Sequence, residues 1–133
     1  MANYLSTRKL LSVLIIPFLL TSEALSGWEY ISDGYLGSVY VDFETIERKG
    51  RMVTGWQLQN LKGRAKSGAL SRRILLEVDC KEQKRRIIYL STHSEPLGKG
   101  TVLYTNRVPT KWAYPIPKSL GSKVIKMMCE GGK

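Results

Sequence analysis

Short hydrophobic runs alternate with turn-forming residues along most of this chain. Six runs are rich in β-branched and aromatic residues, at positions 28–32, 38–43, 52–59, 69–80, 86–92 and 101–105. Clusters of Gly, Asp, Asn, Ser or Pro separate them, such as Asp33-Gly34 and Lys49-Gly50. Because this spacing is typical of strands joined by short loops, it predicts about six strands in an antiparallel meander.

The fourth run indicates which face of the predicted sheet is buried. Its apolar positions are Ile74, Leu76, Val78 and Cys80. The positions between them are mostly polar, namely Ser71, Arg73, Glu77 and Asp79. Since successive side chains of a strand point to opposite faces, the pattern predicts that Cys80 faces the core.

The C-terminal segment changes to the period of a helix. Pro115 and Pro117 exclude helical conformation at the residues before them. Ser119 can then cap a helix that runs to about Cys129. The apolar residues of that helix share one face and are Leu120, Val124, Ile125, Met128 and Cys129. The predicted fold class is therefore α+β, with about six antiparallel strands and a C-terminal helix.

Residues 1–26 have the three-part pattern of a secretory signal peptide. Arg8 and Lys9 precede an apolar run at positions 10–20, and small residues lead to a predicted cleavage site after Ser26. The run is shorter than the roughly 18 residues that cross a bilayer, so no transmembrane span is expected in the mature chain. Position 27 is Gly rather than Cys, so no lipoprotein is expected. The predicted mature domain is 27–133.

Export also bears on the two cysteines. Two cysteines in a small exported chain most simply form one disulfide, Cys80–Cys129, and the alternative is two separate buried thiols. Such a bond would fasten the predicted helix across the sheet. Two cysteines and the single His93 do not have the spacing of a closed zinc site, and neither a metal nor another cofactor is expected.

Several short motifs occur in a fixed order along the predicted mature chain. They are Trp28, Val39-Tyr40-Val41-Asp42, the stretch 45–50, Val53, Trp56-Gln57-Leu58, Ser71, Glu77-Val78-Asp79-Cys80, Arg85-Arg86, Trp112, Pro117, Ser119 and Cys129. In this order they resemble the surface-adhesin protein E family of small exported bacterial domains. The resemblance implies an antiparallel sheet with a disulfide-tethered helix. It also implies a non-enzymatic binding protein of the cell envelope, with adhesion to host proteins as the activity of the best-known member. That member is anchored by a lipid on a cysteine, which position 27 lacks.

The chain has a net charge of +10, and two groups of basic residues stand out, with Arg72-Arg73 between them. One group, Lys62, Arg64 and Lys66, lies in the loop 60–68. The other, Lys81, Lys84, Arg85 and Arg86, follows the fourth run. In a meander the two groups lie at opposite ends of that strand, and neither loop has the aromatic platforms of single-stranded nucleic-acid binders. No specific nucleic-acid partner is expected. The second group is interpreted as a solvated turn, and contact with a polyanion is the alternative.

Candidate chemistry is sparse elsewhere in the sequence. His93 lies in a polar stretch and is interpreted as an exposed loop histidine, while Asp42 is interpreted as a strand-end residue. Catalysis is therefore not expected. Trp112 and Tyr114 lie between Pro109 and Pro115 and are a candidate aromatic patch for a protein partner.

Together these observations predict an exported, non-enzymatic binding protein of the bacterial cell envelope. Its expected partner is a protein or an anionic envelope component. Its expected location is the periplasm, with the cell surface and the medium as alternatives. Two other functions stay open: a basic periplasmic module that binds polyanions, and a small periplasmic enzyme or inhibitor that uses His93. The sequence does not indicate an oligomeric state.

Overall fold

The computed structural model describes residues 27–131. The predicted signal peptide, residues 1–26, lies outside the described residues, so the predicted cleavage after Ser26 stays a prediction. Within 27–131, no helix is both long enough and apolar enough to cross a membrane.

Six strands and one helix make up the described chain. They are β1 (Trp28–Asp33), β2 (Gly37–Lys49), β3 (Met52–Leu61), β4 (Ser71–Asp79), β5 (Lys84–His93), β6 (Val102–Asn106) and α1 (Leu120–Gly131). The strands form one sheet in chain order, and each strand pairs antiparallel with its neighbours. A 3-10 turn, Pro96–Gly98, precedes β6. The predicted α+β class and the antiparallel meander are confirmed.

Strand β2 is longer than the hydrophobic pattern predicts. The register of β2 against β3 shifts between Asp42 and Glu47, and the chain then resumes pairing as far as Lys49. At the shift, the Glu44 amide donates to Asp42 Oδ1 at 3.1 Å, and Thr45 Oγ1 donates to the Asp42 carbonyl oxygen at 2.7 Å. The interpretation of Asp42 as a strand-end residue was therefore wrong, because these bonds carry the strand through the irregularity.

The hydrophobic core lies between α1 and one face of the sheet. Its fully or nearly buried side chains are Ile31, Val39, Val41, Val53, Ile74, Leu76, Val78, Val124, Ile125 and Met128. The alternation in β4 therefore predicted the buried face correctly. Gly55 permits close packing here, since a Cβ at that position would lie 3.0 Å from Met128 Cε.

A disulfide joins the sheet to the C-terminal helix. Cys80 and Cys129 are bonded, with their Cα atoms 5.8 Å apart and a sequence separation of 49 residues. The Arg48 guanidinium donates to the Cys129 carbonyl oxygen, and the Cys80 amide donates to the Arg51 carbonyl oxygen at 2.9 Å. The predicted bond is confirmed, and it holds the end of α1 against the end of β4.

Asp79 organises the turn that follows β4. Its Oδ1 accepts hydrogen bonds from the amides of Glu82 at 3.0 Å and Lys81 at 3.1 Å, and its Oδ2 lies 3.3 Å from Arg51 Nη2. The Glu82 hydrogen bond is the largest cause that lowers the pKa of Asp79, with the Arg51 charge acting in the same direction. The side chain is on the polar side of β4, as predicted, but these contacts bury it.

Candidate binding surface

The face of the sheet opposite α1 carries a series of aromatic and basic side chains. Cross-strand pairing sets Trp56 beside Leu75 and Leu75 beside Tyr89, while their sequence neighbours Gln57, Ile74 and Leu90 point toward the helix side. We call this surface the open face. Its aromatic and basic members are Tyr30, Tyr40, Trp56, Arg73, Lys84, Arg86, Tyr89, Arg107 and Trp112.

The centre of the open face is a stack of cations and rings. The Arg73 guanidinium carbon lies 5.2 Å from the Trp56 ring centre, and that of Arg107 lies 5.6 Å from the Tyr89 ring centre. The Trp56 and Tyr89 rings meet edge to face, with their centres 5.3 Å apart. Cation–π and edge-to-face contacts of this kind stabilise a defined side-chain arrangement on a half-exposed surface.

Trp112 extends the same arrangement to the end of β5. Its ring centre lies 4.6 Å from the Arg86 guanidinium carbon and 5.2 Å from Lys84 Nζ. Arg86 also pairs with Glu77 across β4 and β5, with Nη2 to Oε1 at 2.7 Å. Backbone hydrogen bonds between Arg85 and Ala113, at 2.9 and 2.8 Å, hold the segment that carries Trp112 along the edge of β5. Trp112 is therefore fixed by its neighbours on both sides.

The predicted basic turn has a different structure from the one the sequence indicated. Lys81 is exposed in the turn, but Lys84, Arg85 and Arg86 belong to β5. The turn closes within 80–83, where Gln83 has a φ of 54° and its side-chain amide donates to the Cys80 carbonyl oxygen at 2.6 Å. Interpreting the whole group as a solvated turn was therefore wrong. Whether these residues contact a polyanion stays a prediction.

Strand alternation also divides this basic group between two faces. Lys84 and Arg86 lie against Trp112 on the open face. Arg85 pairs with Val78 and lines a cleft on the helix side. The other group, in the loop between β3 and β4, lies at the opposite end of the sheet, where Arg64 donates to the carbonyl oxygens of Gly68 and Ser94. Strand alternation therefore turns Arg85 away from Lys84 and Arg86, although Arg86 also borders the cleft at the edge of β5.

The two members of the predicted aromatic patch have different surroundings. Trp112 is half-buried beneath its two cations, whereas Tyr114 is 66% exposed. Tyr114 lines a depression of about 470 Å³ together with Gln83, Pro115, Pro117, Ser122 and Ile125. Binding of a partner at these residues stays a prediction.

His93 is buried, so the interpretation of an exposed loop histidine was wrong. It is the last residue of β5, pairs with Ser71 across the sheet, and is only 5% exposed. Residues 94–100 fold back over this end of the sheet, where Ser71 Oγ donates to the Glu95 carbonyl oxygen and accepts from the Gly98 amide at 2.9 Å. The sequence pattern missed the burial because a polar strand end and a polar loop look alike.

The surroundings of His93 provide a hydrogen bond to a serine but no third group. His93 Nε2 lies 2.9 Å from Ser91 Oγ, and its Nδ1 has no hydrogen-bond partner among the described residues. Burial, with a smaller effect of the Arg73 charge, lowers the pKa of His93. A catalytic triad needs a group that orients the imidazole, and within 27–131 none contacts Nδ1. The same range contains no cluster of His, Cys, Asp and Glu that could hold a metal ion.

Comparison with known proteins places this architecture in a family. The sequence model described as surface-adhesin protein E matches residues 28–130, which span all six strands and nearly all of α1. The chain belongs to the surface-adhesin protein E family. The resemblance carried by the short motifs is therefore confirmed, and membership supports an adhesin-like surface or exported protein. No curated protein matches this sequence significantly.

Solved structures of protein E from Haemophilus influenzae have the same fold. One, crystal form II, is 16% identical with a TM-score of 0.65, and the match covers 79% of this chain and 88% of that one. A second is 16% identical with a TM-score of 0.63, covering 79% and 85%. A third, from a non-typeable strain, is 17% identical with a TM-score of 0.60, covering 79% and 76%. At these identities the likeness shows the fold alone.

Proposed function

We propose that this chain is an exported, non-enzymatic binding protein of the bacterial cell envelope, and that its open face binds a protein partner. The observation that carries the proposal is the series of stacked Arg and aromatic side chains on a sheet face that α1 leaves uncovered. Trp, Tyr and Arg are the residues most enriched at the energetic centres of protein interfaces. Family membership supports the same class of function.

The rigidity of the open face favours binding. The guanidinium groups of Arg73 and Arg107 already lie over rings, so these side chains lose little further freedom when a partner binds them. Glu77 neutralises Arg86, but Arg73 and Arg107 have no ion pair among the described residues. The surface therefore suits a partner that presents carboxylates around an apolar centre.

Export is part of the proposal. The segment 1–26 would direct the chain out of the cytoplasm and be removed, which leaves the domain 27–133 in an oxidising compartment. The Cys80–Cys129 bond is consistent with such a compartment. The periplasm is the proposed location. Display on the cell surface would need an anchor other than a lipidated cysteine at position 27.

Capture of proteins by the immobilised mature domain tests this function. Detergent-solubilised envelope and an extracellular-matrix extract would be passed over wild type, Trp112→Ala and Tyr35→Ala at physiological salt. Tyr35 is the matched control, since it is an aromatic residue that is 94% exposed and lies outside the open face. We expect Trp112→Ala to lose a specific captured protein by about tenfold or more, as hot-spot truncations do. Equal capture by all three would exclude the open face as the binding surface.

Polyanion binding is a second candidate, because Lys84 and Arg86 lie side by side over Trp112. Charge reversal of these two residues to Glu should abolish retention on a heparin column, while reversal of Lys62 and Arg64 should not. If both pairs weaken retention equally, only the net charge of the domain acts. In that case retention would also fall steeply as salt rises.

A further inference from the structure

On the helix side of the sheet, α1 leaves a cleft unfilled. The cleft has a volume of about 510 Å³ and lies between the first turns of α1 and strands β2 to β5. Its walls are mainly apolar and include Val39, Ile74, Leu76, Ile87, Leu120 and Val124. This volume is within the range of roughly 300–1,000 Å³ that is typical of small-molecule sites.

The charged residues that line this cleft are all basic. They are Arg72, Arg85, Arg86 and Lys111, of which Arg86 is paired with Glu77, and none of the lining residues is Asp or Glu. Arg85 is half-buried, and its guanidinium packs against the first turn of α1. The packing is close, since a Cβ at Gly121 would lie 3.0 Å from Arg85 Nη2. No carboxylate of the described chain pairs with this guanidinium. Since burial removes water from a charge that no counter-ion neutralises, an anion from outside would stabilise it.

A buried amide supplies an independent indication of a ligand. Gln57 lines the same cleft, is only 7% exposed, and its Oε1 has no hydrogen-bond partner in the described chain. Buried polar atoms of folded proteins are almost always paired, so an unpaired one at the wall of a cavity indicates a missing partner. A primary amide can rotate to present either its oxygen or its NH₂ group to that partner.

The start of α1 adds to the positive potential at the cleft. Ser119 caps the helix, with its Oγ accepting from the Ser122 amide at 3.2 Å, and Leu120 and Gly121 line the cleft. The N-terminal end of a helix carries a partial positive charge that favours anions. The cleft thus combines an apolar wall, unpaired guanidinium groups and a helix start.

We propose that this cleft binds a small amphipathic carboxylate, in which an aliphatic chain is joined to one carboxylate group. The carboxylate pairs with Arg85 beside α1, and Arg72 adds positive charge farther along β4. Gln57 lines the wall between them, where its amide can turn the NH₂ group toward an anion. The chain lies along Ile74, Leu76, Ile87, Leu120 and Val124. A strongly polar ligand would leave these walls unused, and a neutral lipid would leave the guanidinium groups unpaired. The cleft and the open face lie on opposite sides of the sheet and share only Arg86 at the edge of β5, so the carboxylate site is distinct from the proposed protein-binding surface.

Calorimetric titration of the purified, disulfide-bonded domain with octanoate tests the proposal. We expect saturable one-site binding, and binding at least about tenfold weaker for 1-octanol and for acetate, which lack the charge and the chain respectively. Absence of octanoate binding up to millimolar concentration would overturn the proposal. So would 1-octanol binding as tightly as octanoate.

Two variants and a charge-matched control locate the site. Arg85→Gln removes the charge while its backbone bonds to Ala113 remain, and it should weaken octanoate binding by about tenfold. Arg72→Gln, at a half-exposed position, should weaken binding as well, and it carries the test if Arg85→Gln does not fold. Arg107→Gln, on the open face, should bind as wild type does. If Arg107→Gln weakens binding as much as the cleft variants, the attraction is generic and the proposal fails.

Discussion

At the scale of single residues, His93 shows how far polarity along a sequence can mislead. The stretch from Ser91 to Pro96 reads as a loop, yet Ser91 and His93 are buried at the end of β5. Hydrogen bonds from the returning segment 94–100 produce that burial, and they join residues more than twenty positions apart. Such bonds leave no local signal, so burial of this histidine could not be predicted from the sequence.

Buried His93 should make stability depend on pH. Its pKa is lowered in the folded state, so the unfolded chain binds a proton more readily. The stabilising contribution is present above the unfolded pKa of about 6.5 and is lost as pH falls below it. We therefore expect the melting temperature of wild type to decrease more steeply from neutral pH to about pH 5 than that of His93→Gln. Parallel curves for the two proteins would contradict the burial.

Gly37 is a residue whose replacement should be costly. Its φ is +152°, and a Cβ there would lie 1.7 Å from the Asn60 carbonyl oxygen on β3. Gly37→Ala should therefore lower the free energy of unfolding by on the order of 3 kcal/mol. Gly50 is the control, because its φ is +61° and a Cβ added there would meet no atom within 4 Å. Gly50→Ala should cost only about 1 kcal/mol. Urea unfolding measures both variants, and an equal or larger loss for Gly50→Ala would contradict the prediction.

At the scale of elements, the period of the hydrophobic pattern predicted most of what forms. The strand number, the buried face of β4, the Ser119 cap and the helix all follow from local residues. Register does not. Pairing of β4 with β5 shifts between Leu75 and Leu76, so Ile87 points to the helix side while Tyr89 lies on the open face. An unbroken alternation would put both on one side, and the open face could not have been predicted without that shift.

Because the disulfide tethers α1 to the sheet, we expect its removal to lower the free energy of unfolding substantially. The bond closes a loop with a sequence separation of 49, so the double variant Cys80→Ser and Cys129→Ser should lose about 4 kcal/mol of unfolding free energy. Chemical denaturation with and without reductant measures this effect. Reductant should destabilise wild type by a similar amount and leave the double variant unchanged. A loss below about 1 kcal/mol would show that packing alone holds the helix.

At the scale of the whole molecule, the two faces of the sheet differ in structure. One face supports α1 and the cleft, and the other carries the stacked cations and rings. The sequence predicted a basic domain and an aromatic segment at Trp112. It did not reveal that Trp56, Arg73, Tyr89 and Arg107 join the same surface, because cross-strand register brings them together. In the sequence, only the strand alternation around Trp56 indicated that this residue could lie on the face opposite the core.

The most direct test of the open face is a capture experiment with charge-matched variants. Arg73→Ala with Arg107→Ala removes two charges from the open face, and Lys62→Ala with Lys66→Ala removes two exposed charges from the β3–β4 loop. Both double variants and wild type would be compared for capture of the same envelope or matrix protein at physiological salt. We predict that the loop variant captures as wild type does and that the open-face variant does not. Equal capture by all three, or equal loss in both variants, would contradict a binding role for the open face.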